Sequence, residues 1–212
     1  YSSIPEGPVS GREAGDLIDE LRWLLNDAVR LRLRSDVSVG LFLSGGLDSS
    51  LLAGLARIQT AFTCHLPYGP AYDEVAYARL MADSIGCDLH TTTVGPEDFR
   101  RDFPRVIWHL EQPIATTSSI AEFALARLAR QHVKVAIGGQ GADEAFGGYG
   151  RYALMVEEER MGASPLFRDY HPLARLLWGP QVFGPPADRY FRLIQRGRGS
   201  SAPLEETRRI FG

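Results

Sequence analysis

Val37-Ser-Val-Gly-Leu-Phe-Leu43 runs straight into Ser44-Gly-Gly-Leu-Asp-Ser-Ser50, and the reading of this junction decides the fold. The first seven residues are short, apolar and rich in strand formers, which predicts a buried strand. Ser44-Gly45-Gly46 predicts a turn. Ser49-Ser-Leu-Leu-Ala-Gly-Leu-Ala-Arg57 predicts a helix whose start falls at Asp48 or Ser49. A strand feeding a helix through a glycine-rich turn is the opening of a parallel α/β unit.

Outward from this junction the alternation continues. On the N-terminal side, Leu17, Leu21, Leu24, Ala28 and Leu31 recur at helical spacing from Ala14 onward, with Arg22, Asp27, Arg30, Arg32 and Arg34 as a solvated face. On the C-terminal side, 61–66 predicts a second strand, closed by Pro67, Gly69 and Pro70. A helix over 73–85 follows, with Val75, Leu80, Met81 and Ile85 turned inward and Gly86 as its stop. Residues 89–94 predict a third strand, polar enough for a sheet edge. Residues 96–110 predict a helix, with Pro104 as a candidate break. A helix over 119–132 places Ile120, Phe123, Ala124 and Leu128 on one side, with Ser118 or Ser119 as cap. Residues 133–137 predict a fourth strand. The expected fold is α/β: a parallel sheet flanked by helices. Beyond Tyr152, Pro165, Pro172, Pro180, Pro185, Pro186 and Pro203 interrupt short helical pieces, and 196–201 reads as a mobile loop. The tail is expected to be mainly helical and irregular.

The chain has 212 residues, 44% apolar and 23% charged, which fits one globular domain with or without an extension. Lys+Arg 23 against Asp+Glu 26 gives a net charge of −3, so nucleic acid is not an expected partner. No run approaches the roughly 18 apolar residues of a membrane span, and residues 1–8 lack the regions of a signal peptide. No membrane partner and a cytoplasmic location are expected. Cys64 and Cys87 make neither a disulfide scaffold nor a CxxC metal site. The chain opens on Tyr1 rather than Met, with residues 1–13 reading as a linker, so a fragment of something longer is expected.

The turn at Ser44 to Ser50 carries the first chemistry. Two glycines let the backbone bend tightly, and successive N–H groups form an anion-binding concavity. The helix behind adds unpaired donors and a positive dipole end, and Ser44, Ser49 and Ser50 add hydroxyl donors. The Gly-Lys-Ser/Thr ending of a Walker A loop is missing, and so is GxGxxG. Without a loop lysine, a metal must neutralise phosphate charge, and Asp48 is placed to hold one. The plain alternative is a glycine-rich turn with Asp48 as an ordinary helix cap.

The second is Gly138-Gly-Gln-Gly-Ala-Asp-Glu-Ala-Phe-Gly-Gly-Tyr149, directly after the fourth strand. Ligands of parallel sheets sit outside the carboxyl strand ends, so both turns are expected on that edge. Asp143 and Glu144 would face a polyphosphate only with divalent cations in between. A solvated acidic turn is the plain alternative.

Together the two motifs resemble the asparagine synthetase family, in its glutamine-dependent branch, within the ATP pyrophosphatases of the PP-loop type. Tyr72-Asp73-Glu74 and Thr116-Thr117-Ser118 share the likeness, which covers roughly 14 to 152. The resemblance implies an ATP pyrophosphatase-like synthetase domain over 14–152 with an extension over 153–212. It implies ATP binding at Ser44, Gly45, Gly46, Asp48, Ser49 and Ser50, and further nucleotide contacts at Leu43, Cys64, Gly138 and Gly139. Magnesium ligands fall on Asp48 and Asp143, and the acceptor pocket on Thr116, Thr117 and Ser118. Capping of the following helix is a second use for these three, and Cys64 otherwise reads as a small buried hydrophobe.

The implied reaction is ligation. A carboxylate, aspartate in the family case, attacks the α-phosphorus of ATP, pyrophosphate departs, and ammonia displaces AMP. Gln140 and Asp143 are the implied catalytic positions. Gln140 departs from the pattern, standing where many members have a carboxylate, and it can neither act as a base nor hold a metal by charge. That leaves room for a related amide-forming enzyme of β-lactam synthetase or peptide cyclase type, or for a nucleotide-binding fragment without activity in isolation. The glutaminase domain of the family, with its N-terminal cysteine, is expected before this segment. The later segment with a catalytic lysine has no counterpart after Tyr152. A homodimer is the oligomeric state carried forward.

Overall fold

The structure, a computed structural model, describes residues 11–69, 72–112, 118–165, 171–178 and 182–194. They form two compact units, 1–139 and 140–212.

The first unit is built on four strands, β1 (Val39–Phe42), β2 (Thr60–His65), β3 (Asp88–Thr93) and β4 (Val135–Ile137). All pair in parallel, in the order β3-β2-β1-β4. The polar third strand lies at an edge, as its composition predicts. Helix α1 (Ala14–Arg32) precedes β1, and α2 (Leu47–Ala56), α3 (Val75–Ile85), α4 (Pro96–Leu110) and α5 (Ser118–Ala129) fill the connections.

The sheet buries both faces, which is why β1 and β2 read as apolar runs. On one face Leu41, Leu43 and Ala61 pack with Ala53, Ala78 and Ala82 of α2 and α3. On the other, Val94, Val106, Ile120 and Ala124 form a cluster that takes in Cys64, while Phe62 packs with Ala129 and Val133. Phe62 and Leu41 are fully buried, each worth roughly 1.5–3 kcal/mol.

Several elements depart from the sequence expectation. β1 is shorter than 37–43, although the Leu43 N–H still donates to the Phe62 carbonyl at 2.9 Å. α2 begins at Leu47 with Gly46 as its N-cap, so Asp48 lies inside the first turn and is not the cap. α3 starts at Val75, two residues late. Its buried positions are Ala78 and Ala82, whereas Leu80 is 71% exposed. Small residues face inward there because the backbone of the Gly45 turn packs directly on this helix. β4 is confined to 135–137, with Val133 buried ahead of it. α4 continues through Pro104. Buried Asp102 and Val106, on either side of the proline, anchor the helix to its neighbours. α1 has the expected period, yet Leu17, Leu21, Leu24 and Leu31 are all exposed and only Val29 is buried.

The second unit is helical: α6 (Ala142–Phe146), α7 (Gly150–Ala163), α8 (His171–Trp178) and α9 (Pro186–Ile194). α7 runs across Tyr152 without a break, and its Glu158 accepts a hydrogen bond from the Phe183 N–H at 2.9 Å. Buried Arg189 of α9 donates to the Met155 carbonyl at 2.9 Å. The predicted loop at 196–201 lies outside the described residues.

Candidate nucleotide site

The Ser44–Ser50 turn leaves the carboxyl end of β1 and folds onto two neighbours. Gly45 has φ +82°, and a Cβ there would stand 2.4 Å from the Tyr77 carbonyl carbon. Only glycine satisfies both conditions. The serines act within the turn. Ser49 is buried; its Oγ lies 2.9 Å from Ser44 Oγ and donates to the Gly46 carbonyl at 3.3 Å. Ser44 Oγ accepts from the Gly46 N–H at 3.2 Å. The hydroxyls therefore fix the shape of the turn, beyond the phosphate-donor role expected of them. The first-turn N–H groups of α2 lack helical partners by geometry, which leaves an anion-binding end beside a half-buried Asp48.

β4 brings Gly138 and Gly139, where the second glycine stretch begins, to the same edge. Leu41 pairs with Ile137 in register. A Cβ on Gly139 would lie 3.1 Å from the Ser49 nitrogen and 3.2 Å from Asp48 Cβ. The strands leading to Leu43 and Ile137 thus end on one edge, the edge on which both turns were expected to open. Since strand order reverses at β1, this is the topological switch point where open parallel sheets bind ligands.

Cys64, near the carboxyl end of β2, is half-buried. Burial first, then the fields of Asp73 and Asp98, push its thiol up to about 11. It stays neutral near pH 7, as a small hydrophobe would. Next to it, His65 Nδ1 lies 3.0 Å from Asp73 Oδ1, a pair that sequence reading left without a role. The signal was present: a histidine closes an apolar strand on the edge that holds the glycine turn.

In the second unit, Asp143 is half-buried, and its backbone carbonyl accepts from the Gly148 N–H at 3.0 Å. Glu144 accepts a 2.6 Å hydrogen bond from the Tyr149 hydroxyl. That bond first of all holds the Glu144 carboxyl below its ordinary range and raises the Tyr149 phenol. Arg151 covers the Tyr149 ring, with its guanidinium carbon 3.6 Å from the centroid. Gln140 is exposed. Ser118 opens α5; Thr116 and Thr117 lie outside the described residues. Among the described residues no group of three His, Cys, Asp or Glu side chains gathers to hold a metal. Asp48, half-buried in the first turn of α2, is a carboxylate that would hold magnesium only together with phosphate oxygens and water. None of the described helices is long and apolar enough to cross a membrane.

A parallel α/β sheet with a glycine-rich turn at its switch point defines an open α/β class of fold, in which ligands sit at that edge. Within that class, residues 20–206 match the asparagine synthase family model, and the chain belongs to that family. Asparagine synthetase [glutamine-hydrolyzing] 1 of Bacillus subtilis is 33% identical over 199 residues, 92% of this chain and 30% of that protein. A relative from Mycobacterium bovis is 40% identical over 193 residues, 89% of this chain and 28% of that protein. Amidase chry2 of Gibberella zeae is 31% identical over 187 residues, 73% of this chain and 28% of that protein. The chain thus spans less than a third of the length of these relatives.

Proposed function

We propose that this chain carries the ATP-dependent, amide-forming part of a ligase. The observation that carries the reading is the Gly45 turn, packed against α3 and beside Gly139 at the switch point of the sheet. In this reading residues 14–152 bind ATP and perform the chemistry, and 153–212 extend them. Leu43, Cys64, Gly138 and Gly139 border the nucleotide. The first-turn amides of α2 and the Ser44–Ser50 backbone stabilise charge developing on the departing pyrophosphate. Asp48 and Asp143 are each a carboxylate that would hold magnesium, which would supply the neutralisation of phosphate charge that no loop lysine provides. Ser118, with Thr116 and Thr117, borders the acceptor.

A carboxylate is a poor acylating group because its leaving oxygen is basic. Attack of the acceptor carboxylate on the α-phosphorus forms an acyl-adenylate and expels pyrophosphate. The amine then adds to the acyl carbon, the bond to AMP breaks, and the nitrogen loses a proton. The acceptor proposed first is aspartate and the amine ammonia, released from glutamine by a glutaminase domain in the longer protein. A second acceptor class, as in β-lactam or cyclic amide formation, is favoured by Gln140. Its amide offers two donors and one acceptor where a carboxylate offers acceptors only.

ATP–pyrophosphate exchange tests this reading. Exchange stimulated by aspartate supports asparagine synthesis, and exchange stimulated only by other carboxylates supports the second class. Absence of magnesium-dependent ATP binding would refute both.

A further inference from the structure

The proposed chemistry leaves His65 and Asp73 without a task. His65 is the last residue of β2, and Asp73 precedes α3 by two positions. Their side chains are 38% and 26% exposed, with Nδ1 to Oδ1 at 3.0 Å. The Val75 N–H donates to the same oxygen at 3.3 Å. The bond from His65 is the main reason that the Asp73 carboxyl lies below its ordinary range. A carboxylate only accepts, so Nδ1 carries the hydrogen and the ring is held in one orientation. Nε2 is then the nitrogen that can serve a further partner.

The position of the pair points to the partner. β1 and β2 are adjacent and parallel, so the Gly45 turn and His65 leave the same edge on strands about 4.8 Å apart. Alternation puts His65 on the face of Ala61, which packs against Ala78 and Ala82 of α3. The Gly45 turn rests on that same helix at Tyr77 and Ala78. One helix start therefore backs both the anion turn and the His65–Asp73 pair. In dinucleotide-binding sheets of the same strand order, an Asp or Glu about 20 residues past the glycine turn hydrogen-bonds the ribose. This chain lacks their GxGxxG and has a histidine, not a carboxylate, at that distance. His65 occupies that place relative to Gly45.

We propose that His65, oriented by Asp73, binds a ribose hydroxyl of the nucleotide through Nε2. This rests on the ATP-dependent reading above and adds a residue to it.

The test measures binding of magnesium complexes of ATP, 2′-deoxy-ATP, 3′-deoxy-ATP and inorganic pyrophosphate to the full chain and its variants. The unaltered chain is expected to bind ATP roughly tenfold more tightly than the analogue lacking the contacted hydroxyl. His65→Phe should abolish that preference and leave pyrophosphate binding unchanged, and Asp73→Asn should reduce it. His65→Leu provides a second variant should the phenylalanine disturb α3. The proposal is overturned if the unaltered chain does not distinguish ATP from either analogue. It is also overturned if the preference survives in the His65 variants, or if pyrophosphate affinity falls in step with ATP. In those cases ATP binding itself persists and the ligase reading stands. An unaltered chain that binds neither ATP nor pyrophosphate overturns both.

Discussion

A methyl group added at Gly45 meets the α3 backbone and also forces a side chain into the left-handed region. Gly45→Ala is therefore expected to destabilise by about 1–3 kcal/mol and to weaken nucleotide binding, checked by urea unfolding and ATP titration. Gly46→Ala, at an extended backbone position with Ser44 Oγ 3.3 Å from the added carbon, should cost less. Asp48 behaves differently, because Gly46 caps the helix. Asp48→Asn should cost under about 1 kcal/mol, the loss of a charge near a helix start. Magnesium-dependent ATP affinity should nevertheless fall, and Asp143→Asn should act alike. Unchanged magnesium dependence in both variants would remove the metal from these residues. At this scale the sequence revealed which polar residues stand on the glycine turns, but not their partners. Ser49, expected as a donor to phosphate, also braces the turn from a buried position, and His65, given no role, holds Asp73. Such pairings depend on which chain segment crosses the strand end, and local spacing does not encode that.

Between α4 and α5 a buried carboxylate gathers several arginines. Asp102 is 1% exposed and accepts from Arg101 at 2.6 and 3.0 Å and from Arg127 at 3.2 Å, with Arg105 at 3.9 Å. The Arg101 hydrogen bond, opposed by burial and helped by Arg127, holds its carboxyl below the ordinary range. A depressed folded-state value contributes stability that is present above the unfolded carboxylate range and lost as pH falls through the folded value. Asp102→Asn should therefore lower the melting temperature at pH 7, and the gap should close on acidification. A gap that persists at low pH would assign the loss to packing rather than charge. The same network explains why Pro104 failed as a break: tertiary anchors on either side override a local penalty. Strand and helix alternation was legible because a two-faced sheet demands continuous apolar runs. The exposure of α1 was not, because periodicity sets a helix face without naming what covers it.

For the whole molecule, the order β3-β2-β1-β4 separates near neighbours in the chain from distant ones. β1, β2 and β3 pair over short stretches, whereas β4 at 135–137 must return to β1 at 39–42 after the rest of the unit has been traversed. Loop closure makes such pairings slow. β4 is therefore expected to dock last, and with it Gly139 against the start of α2. Ile137→Ala should mainly accelerate unfolding and barely slow folding, as for contacts absent from the transition state. Stopped-flow folding and unfolding rates check this, and an equal effect on both rates would contradict it. A ligand held at that edge would then act as a kinetic latch. ATP should lengthen the lifetime of the folded chain far more than it hastens its formation, so its protection should show in the unfolding rate and in resistance to proteolysis.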